Sequence, residues 1–78
     1  MVRSDTKLHK LRYWRGIVGL RQEDVAVLLG CKKPNYCKKE NGNTEVTRSE
    51  MIRIQEAFND KLAKSGKPPL KLDDIFLP

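Results

Sequence analysis

The sequence predicts an all-α fold, a compact bundle of four to five short helices, on three observations. Apolar residues recur at spacings of three and four; no stretch alternates apolar and polar long enough for a strand; and glycines, an Asn-Gly pair and one capping box punctuate the helical stretches. At 78 residues the chain is one domain, 1–78, with a single small core, near the lower limit at which a chain folds without metal or disulfide. That size leaves no room for a second domain or a deep catalytic cleft.

The first helix is expected over residues 6–18, with Leu8, Leu11, Trp14 and Val18 facing the core and Gly19 ending it. The second spans 22–29, puts Val25, Leu28 and Leu29 on one face and stops at Gly30. A third covers about 34–40: Pro34 suits a first turn because its missing N–H has no intrahelical partner there, while Lys33 just before it is pushed away from helical angles. Asn41-Gly42 is the stop. Thr47 and Glu50 form a capping box for the fourth helix, with Val46 and Met51 as a hydrophobic staple. Met51, Ile54, Phe58 and Leu62 carry that helix to residue 61 or beyond. The run Ser65-Gly66-Lys67-Pro68-Pro69 breaks it, and Leu72, Ile75 and Phe76 form a last short turn that closes the core.

The formal net charge is +6, and it is unevenly placed. The first 42 residues hold ten Lys or Arg against four Asp or Glu, whereas the remainder holds six of each. A one-sided basic field is the footprint of a polyanion binder. The apolar run at 25–30 is far too short for a bilayer, and MVRSDTKLHK has no signal-peptide core, so the expected location is cytoplasmic, with no membrane partner and both cysteines reduced.

Two short helices joined by a glycine-containing turn make a generic helix-turn-helix, spanning about 22–41. The stretch LRQEDVAVLLGCKKPNYCKKENG, through Leu20, Gln22, Glu23, Val25, Ala26, Leu28, Leu29, Gly30, Tyr36, Glu40 and Gly42, resembles the Cro and phage-repressor (XRE) family of helix-turn-helix proteins. The resemblance extends to the closing LKLDDIF. The YCKKENG wording is most similar to small regulators of phages and mobile elements in low-GC Gram-positive bacteria. It implies a lambda-repressor-like DNA-binding domain that acts as a transcriptional regulator, binds a double-stranded DNA operator, reads the major groove with the helix around 33–40, and leaves room for a homodimer.

Carried over by position, the resemblance gives Gln22 a DNA phosphate contact, which fixes docking rather than sequence. Lys33, Pro34 and Lys38 take positions from which family members touch base edges. Helical geometry agrees: with Tyr36 inward, Pro34 and Lys38 lie about 160° away, at ~100° per residue. Lys38 can donate to guanine O6 or N7, and Pro34 can only pack on a thymine methyl. Lys32, Asn35, Asn43 and Thr44 stand where phosphate contacts are expected. Arg15 and Glu40 match a structural ion pair tying the first helix to the end of the third. Arg21 and Lys32 replace the Ser or Thr that usually caps a helix, forfeiting about 1 kcal/mol per cap but adding charge beside a phosphate backbone. The segment 59–69 is longer than the family's usual connection, so the family's dimer geometry does not carry over.

Other chemistry finds less support. Cys31 falls on a core position, where a reduced cysteine acts as a small hydrophobe, and Cys37 falls on the flank of an exposed helix. Two cysteines and His9 do not make the four-ligand set of a metal site, so no metal and no cofactor are expected. No nucleophile has a base partner and no glycine loop could cradle phosphate, which argues against an enzyme. Asp73 and Asp74 read as helix-start residues. A competing class is a protein-interaction module of the same fold that binds and modulates a phage or other repressor protein.

Overall fold

The computed structural model describes residues 8–76, which form five helices and no strand: α1 His9–Ile17, α2 Gln22–Leu29, α3 Lys33–Glu40, α4 Arg48–Lys64 and α5 Leu72–Phe76. Residues 6 and 7, the expected start of the first helix, lie outside the described residues. Four helix ends close in the same way. After each of Gly19, Gly30, Gly42 and Gly66 the next N–H reaches back to the carbonyl five residues earlier: Leu20 to Arg15 at 3.0 Å, Cys31 to Ala26 at 3.0 Å, Asn43 to Lys38 at 2.8 Å and Lys67 to Leu62 at 2.8 Å. Gly30 holds φ at 70°, a left-handed conformation that a Cβ would penalise. It sets the turn between α2 and α3.

Helix starts differ in strength, with the one side-chain cap hydrogen bond among the described residues at α4. Thr47 Oγ1 accepts the Glu50 N–H at 3.2 Å while the Glu50 carboxylate accepts the Thr47 N–H at 3.0 Å, the reciprocal pair the sequence predicts. Neither Arg21 nor Lys32 caps with its side chain. At α2 the Asp24 carboxylate compensates in part by accepting the Arg21 N–H at 2.9 Å. At α5, Asp74 does the same for the Lys71 N–H at 2.9 Å. The third helix begins one residue earlier than expected: Lys33 is already helical, because the carbonyl of Lys32 takes the Asn35 and Tyr36 N–H groups at 3.0 and 3.1 Å. Pro34 in the first turn removes no helical bond.

One core runs through all five helices. It is built from Leu11 of α1, Val25, Ala26 and Leu29 of α2, Tyr36 of α3, Ile54, Phe58 and Leu62 of α4, Leu70 of the following loop and Ile75 of α5. Leu8, Trp14, Val18, Leu20, Cys31 and Phe76 pack against its margin. The expected inward face of α2 needs correction: Leu28 is 39% exposed and Ala26 only 2%. Positions 22, 25, 26 and 29 share the buried stripe at helical spacing, so the small alanine is inside and the larger leucine is not. Trp14 is only half-buried, with Tyr13 edge-on to it at 5.2 Å between ring centres.

α2 packs against α3 and α4, and α5 against α1 and α4. The loop before α5 is fastened by Asn59, whose carboxamide donates to the Leu70 carbonyl at 3.1 Å and accepts the Leu70 N–H at 2.7 Å. Gln55 adds a second donor to the same carbonyl at 3.0 Å. The radius of gyration, 12.0 Å, matches the roughly 11–12 Å of a compact chain of this length. Among the described residues, no helix is long and apolar enough to cross a membrane.

Candidate nucleic-acid interface

α3 is a short helix with two unlike faces. Only Tyr36 and Glu40 are fully buried, with Cys37 and Lys39 half-buried on the flanks; Lys33, Pro34, Asn35 and Lys38 are exposed, as are Lys32 at its N-cap and Asn43 and Thr44 in the loop that follows. Pro34 and Lys38 are i and i+4 neighbours on the outer face. Seven of the eight residues expected to contact DNA are therefore open to solvent along one helix and its two flanks. The eighth, Gln22, is only partly exposed.

Glu40 is the reason. Its carboxylate, with a side chain only 4% exposed, collects donors from three helices. Arg15 of α1 donates through Nε to Oε2 at 2.7 Å and through Nη2 to Oε1 at 3.3 Å. Tyr36 donates its hydroxyl to Oε2 at 2.8 Å and Gln22 its amide to Oε1 at 2.9 Å. Arg15 also donates to the Leu20 carbonyl at 3.0 Å, tying the turn before α2. No buried side-chain N or O atom among the described residues lacks a partner, as a buried charge requires if it is not to cost several kcal/mol.

The charges respond accordingly. Burial pushes the Glu40 carboxyl up, but the hydrogen bonds from Arg15, Gln22 and Tyr36 outweigh it and hold the group below the usual carboxylate range. Its bond to Glu40 raises the Arg15 pKa further. Burial, and then the Glu40 charge, push the Tyr36 hydroxyl far up, so it stays a donor. At neutral pH the cluster is one carboxylate, one guanidinium and neutral donors.

The chain matches no family model, no curated protein and no solved structure.

Three side chains behave otherwise than the sequence suggests. Lys39 is not a solvated surface lysine. Its Nζ, on a side chain 13% exposed, lies 3.1 Å from Glu50 Oε1 and 3.1 Å from the Glu45 carbonyl, and so fastens the end of α3 to the start of α4. Cys37 is half-buried, and its thiol donates to Gln22 Oε1 at 3.2 Å. Lys33 faces Glu23 Oε1 at 3.9 Å, and Arg21 reaches Glu23 Oε2 at 3.6 Å; Lys33 and Arg21 are exposed and Glu23 partly so, so these pairs are weak. A period-3.6 reading of α3 places positions 33, 36, 37 and 40 toward the protein, which is the signal that could have flagged Cys37. Nothing local points from Lys39 to Glu50.

The described residues hold no group of three or more His, Cys, Asp or Glu suited to a metal ion. The larger surface groove is lined by Gly19, Leu20, Asp24, Val27, Leu28, Ala57, Asp60 and Lys61 and contains no residue of α3.

Proposed function

We propose that this chain is a sequence-specific DNA-binding transcriptional regulator of the Cro and phage-repressor type, with α2 and α3 as its helix-turn-helix and α3 as the recognition helix. The observation that carries this reading is the outer face of α3. Pro34, Asn35 and Lys38 are exposed there, with Lys33 exposed at the helix start, while the opposite face is fixed by Tyr36 and Glu40. A helix about 10–12 Å across fits the roughly 12 Å major groove. The excess positive charge lies in the same half of the chain, where it would neutralise phosphate and release counterions. Lys38 would donate to a guanine edge; Lys32, Asn35, Asn43 and Thr44 would hold the phosphates; two-fold pairing of subunits would set half-site spacing. Occupying an operator would then block or recruit polymerase, and the proposed location is the cytoplasm.

Selection of duplexes from a random pool at near-physiological salt tests the reading. An enriched motif supports it, two-fold symmetric for a dimer, and no enrichment overturns it. Lys38→Ala should weaken preferred-site binding by about 1–3 kcal/mol more than random-DNA binding. Equal losses on both would make Lys38 a phosphate contact.

One observation favours the second reading, a module that binds and modulates a repressor protein: Val27 and Leu28, 77% and 39% exposed, leave apolar surface at the α2–α4 groove. Salt separates the two. Several phosphate contacts give a steep fall of affinity with salt, and an apolar protein contact a shallow one.

A further inference from the structure

The Gln22 side chain opens α2 and is held at both ends. Its Nε2 donates to Glu40 Oε1 at 2.9 Å and its Oε1 accepts from Cys37 Sγ at 3.2 Å. A carboxylate only accepts and a thiol is a weak donor, so the two neighbours together specify which end of the carboxamide faces which. Reversing it would set the amide oxygen against the Glu40 carboxylate and leave the thiol hydrogen without its acceptor. In the orientation observed, Glu40 uses one of the two amide hydrogens and the second is left over.

We propose that Cys37 is a positioning residue for DNA docking: its thiol holds the Gln22 carboxamide in the orientation that presents the remaining amide hydrogen to a backbone phosphate. The inference rests on the DNA-binding reading and deepens it. Glu40 alone fixes one atom of the carboxamide and leaves its oxygen end free to swing. Cys37 supplies the second point, from the middle of the recognition helix. The phosphate contact of α2 and the base-reading face of α3 are thereby locked in register through side chains 15 residues apart.

The test is a double-mutant cycle on DNA affinity, using a duplex from the selected pool and a random one. Gln22→Ala should lose about tenfold on both, the cost of one hydrogen bond to a charged group, with no change in salt dependence, because a neutral amide displaces no counterion. Cys37→Ala should lose about threefold to fivefold on both, and no further affinity when Gln22 is already alanine. Cys37→Ser, which keeps a donor, should restore most of the loss. Equal losses from Cys37→Ala in both backgrounds would overturn the proposal, since Cys37 would then act without Gln22. So would a lower salt slope, which signals displaced lysines.

A second readout needs no DNA. In the free protein the Gln22 side-chain amide hydrogen that bonds Glu40 should be protected from exchange, and both amide NMR signals should shift in Cys37→Ala. Unchanged signals would overturn the proposal. If the wild-type chain enriches no duplex, the DNA-binding reading fails by itself, and with it the docking role of Cys37, whatever the amide signals show.

Discussion

Two fastenings in this small protein are built from opposite materials. At the α1–α2–α3 junction a buried carboxylate, Glu40, gathers a guanidinium, a carboxamide and a phenol. At the α4–α5 junction a neutral carboxamide, Asn59, clamps both backbone groups of Leu70. The first is charged, draws Arg15 and Gln22 from far along the sequence and Tyr36 from one turn away, and lies directly under the candidate interface. The second is uncharged and far along the chain from it. A charged fastening is worth most intact and costs most when halved, because an orphaned buried charge has no water to turn to. A neutral one loses only its own bonds.

The largest expected effect breaks the charged fastening. Glu40→Ala strands Arg15, Gln22 and Tyr36 together and should cost about 3–5 kcal/mol, a large share of the total stability of a domain this small. Thermal melts should show it largely unfolded at ambient temperature. Asn59→Ala should cost about 2 kcal/mol, from the two bonds to Leu70, and still fold.

Acid distinguishes the two fastenings further. Because the Glu40 pKa is lowered on folding from an ordinary 4.5, its contribution is fully present above that value and is lost as pH falls through the lower folded one. Glu50 behaves alike: burial raises it, but the Thr47 N–H and Lys39 hold it below the usual range. Melting temperatures measured from pH 7 down to pH 3 should therefore drop in the wild type. The drop should be smaller in Glu40→Gln and unaltered in Asn59→Ala, because no titrating group was removed. The smallest effect belongs to the outer face: Lys38→Ala should leave stability within about 0.5 kcal/mol while changing DNA affinity.

Helix boundaries were legible where the signal is local. Thr47 and Glu50, three residues apart, announce α4, and Gly30 and Asn41-Gly42 announce the ends of α2 and α3. With Tyr36 inward, the helical period put Pro34 and Lys38 outward, but size misled on α2, where Leu28 was favoured over Ala26 although the stripe through 22, 25 and 29 takes the alanine. What remained hidden were partners distant in sequence. Lys39 reads as one more surface lysine until Glu50, eleven residues on, folds beside it. Gln22 reads as an outward donor until Glu40 and Cys37 claim both ends of its carboxamide. The Asn59–Leu70 clamp left no trace beyond an unusually long connection. Arg15 and Glu40 came from a resemblance and not from spacing, and their 2.7 Å bond shows a link that no local pattern carries.

Glu40 has a further attachment, through its backbone. Its carbonyl accepts the N–H of Leu8 at 3.1 Å, so the residue just ahead of α1 is held by the last residue of α3. The Leu8 amide cannot be protected by a helical bond of its own, since it precedes the first turn. Its hydrogen-exchange rate therefore registers one event, the parting of α3 from the start of α1, separately from the fraying of either helix. A single amide thus acts as a gauge of how firmly the outer face of α3 is mounted.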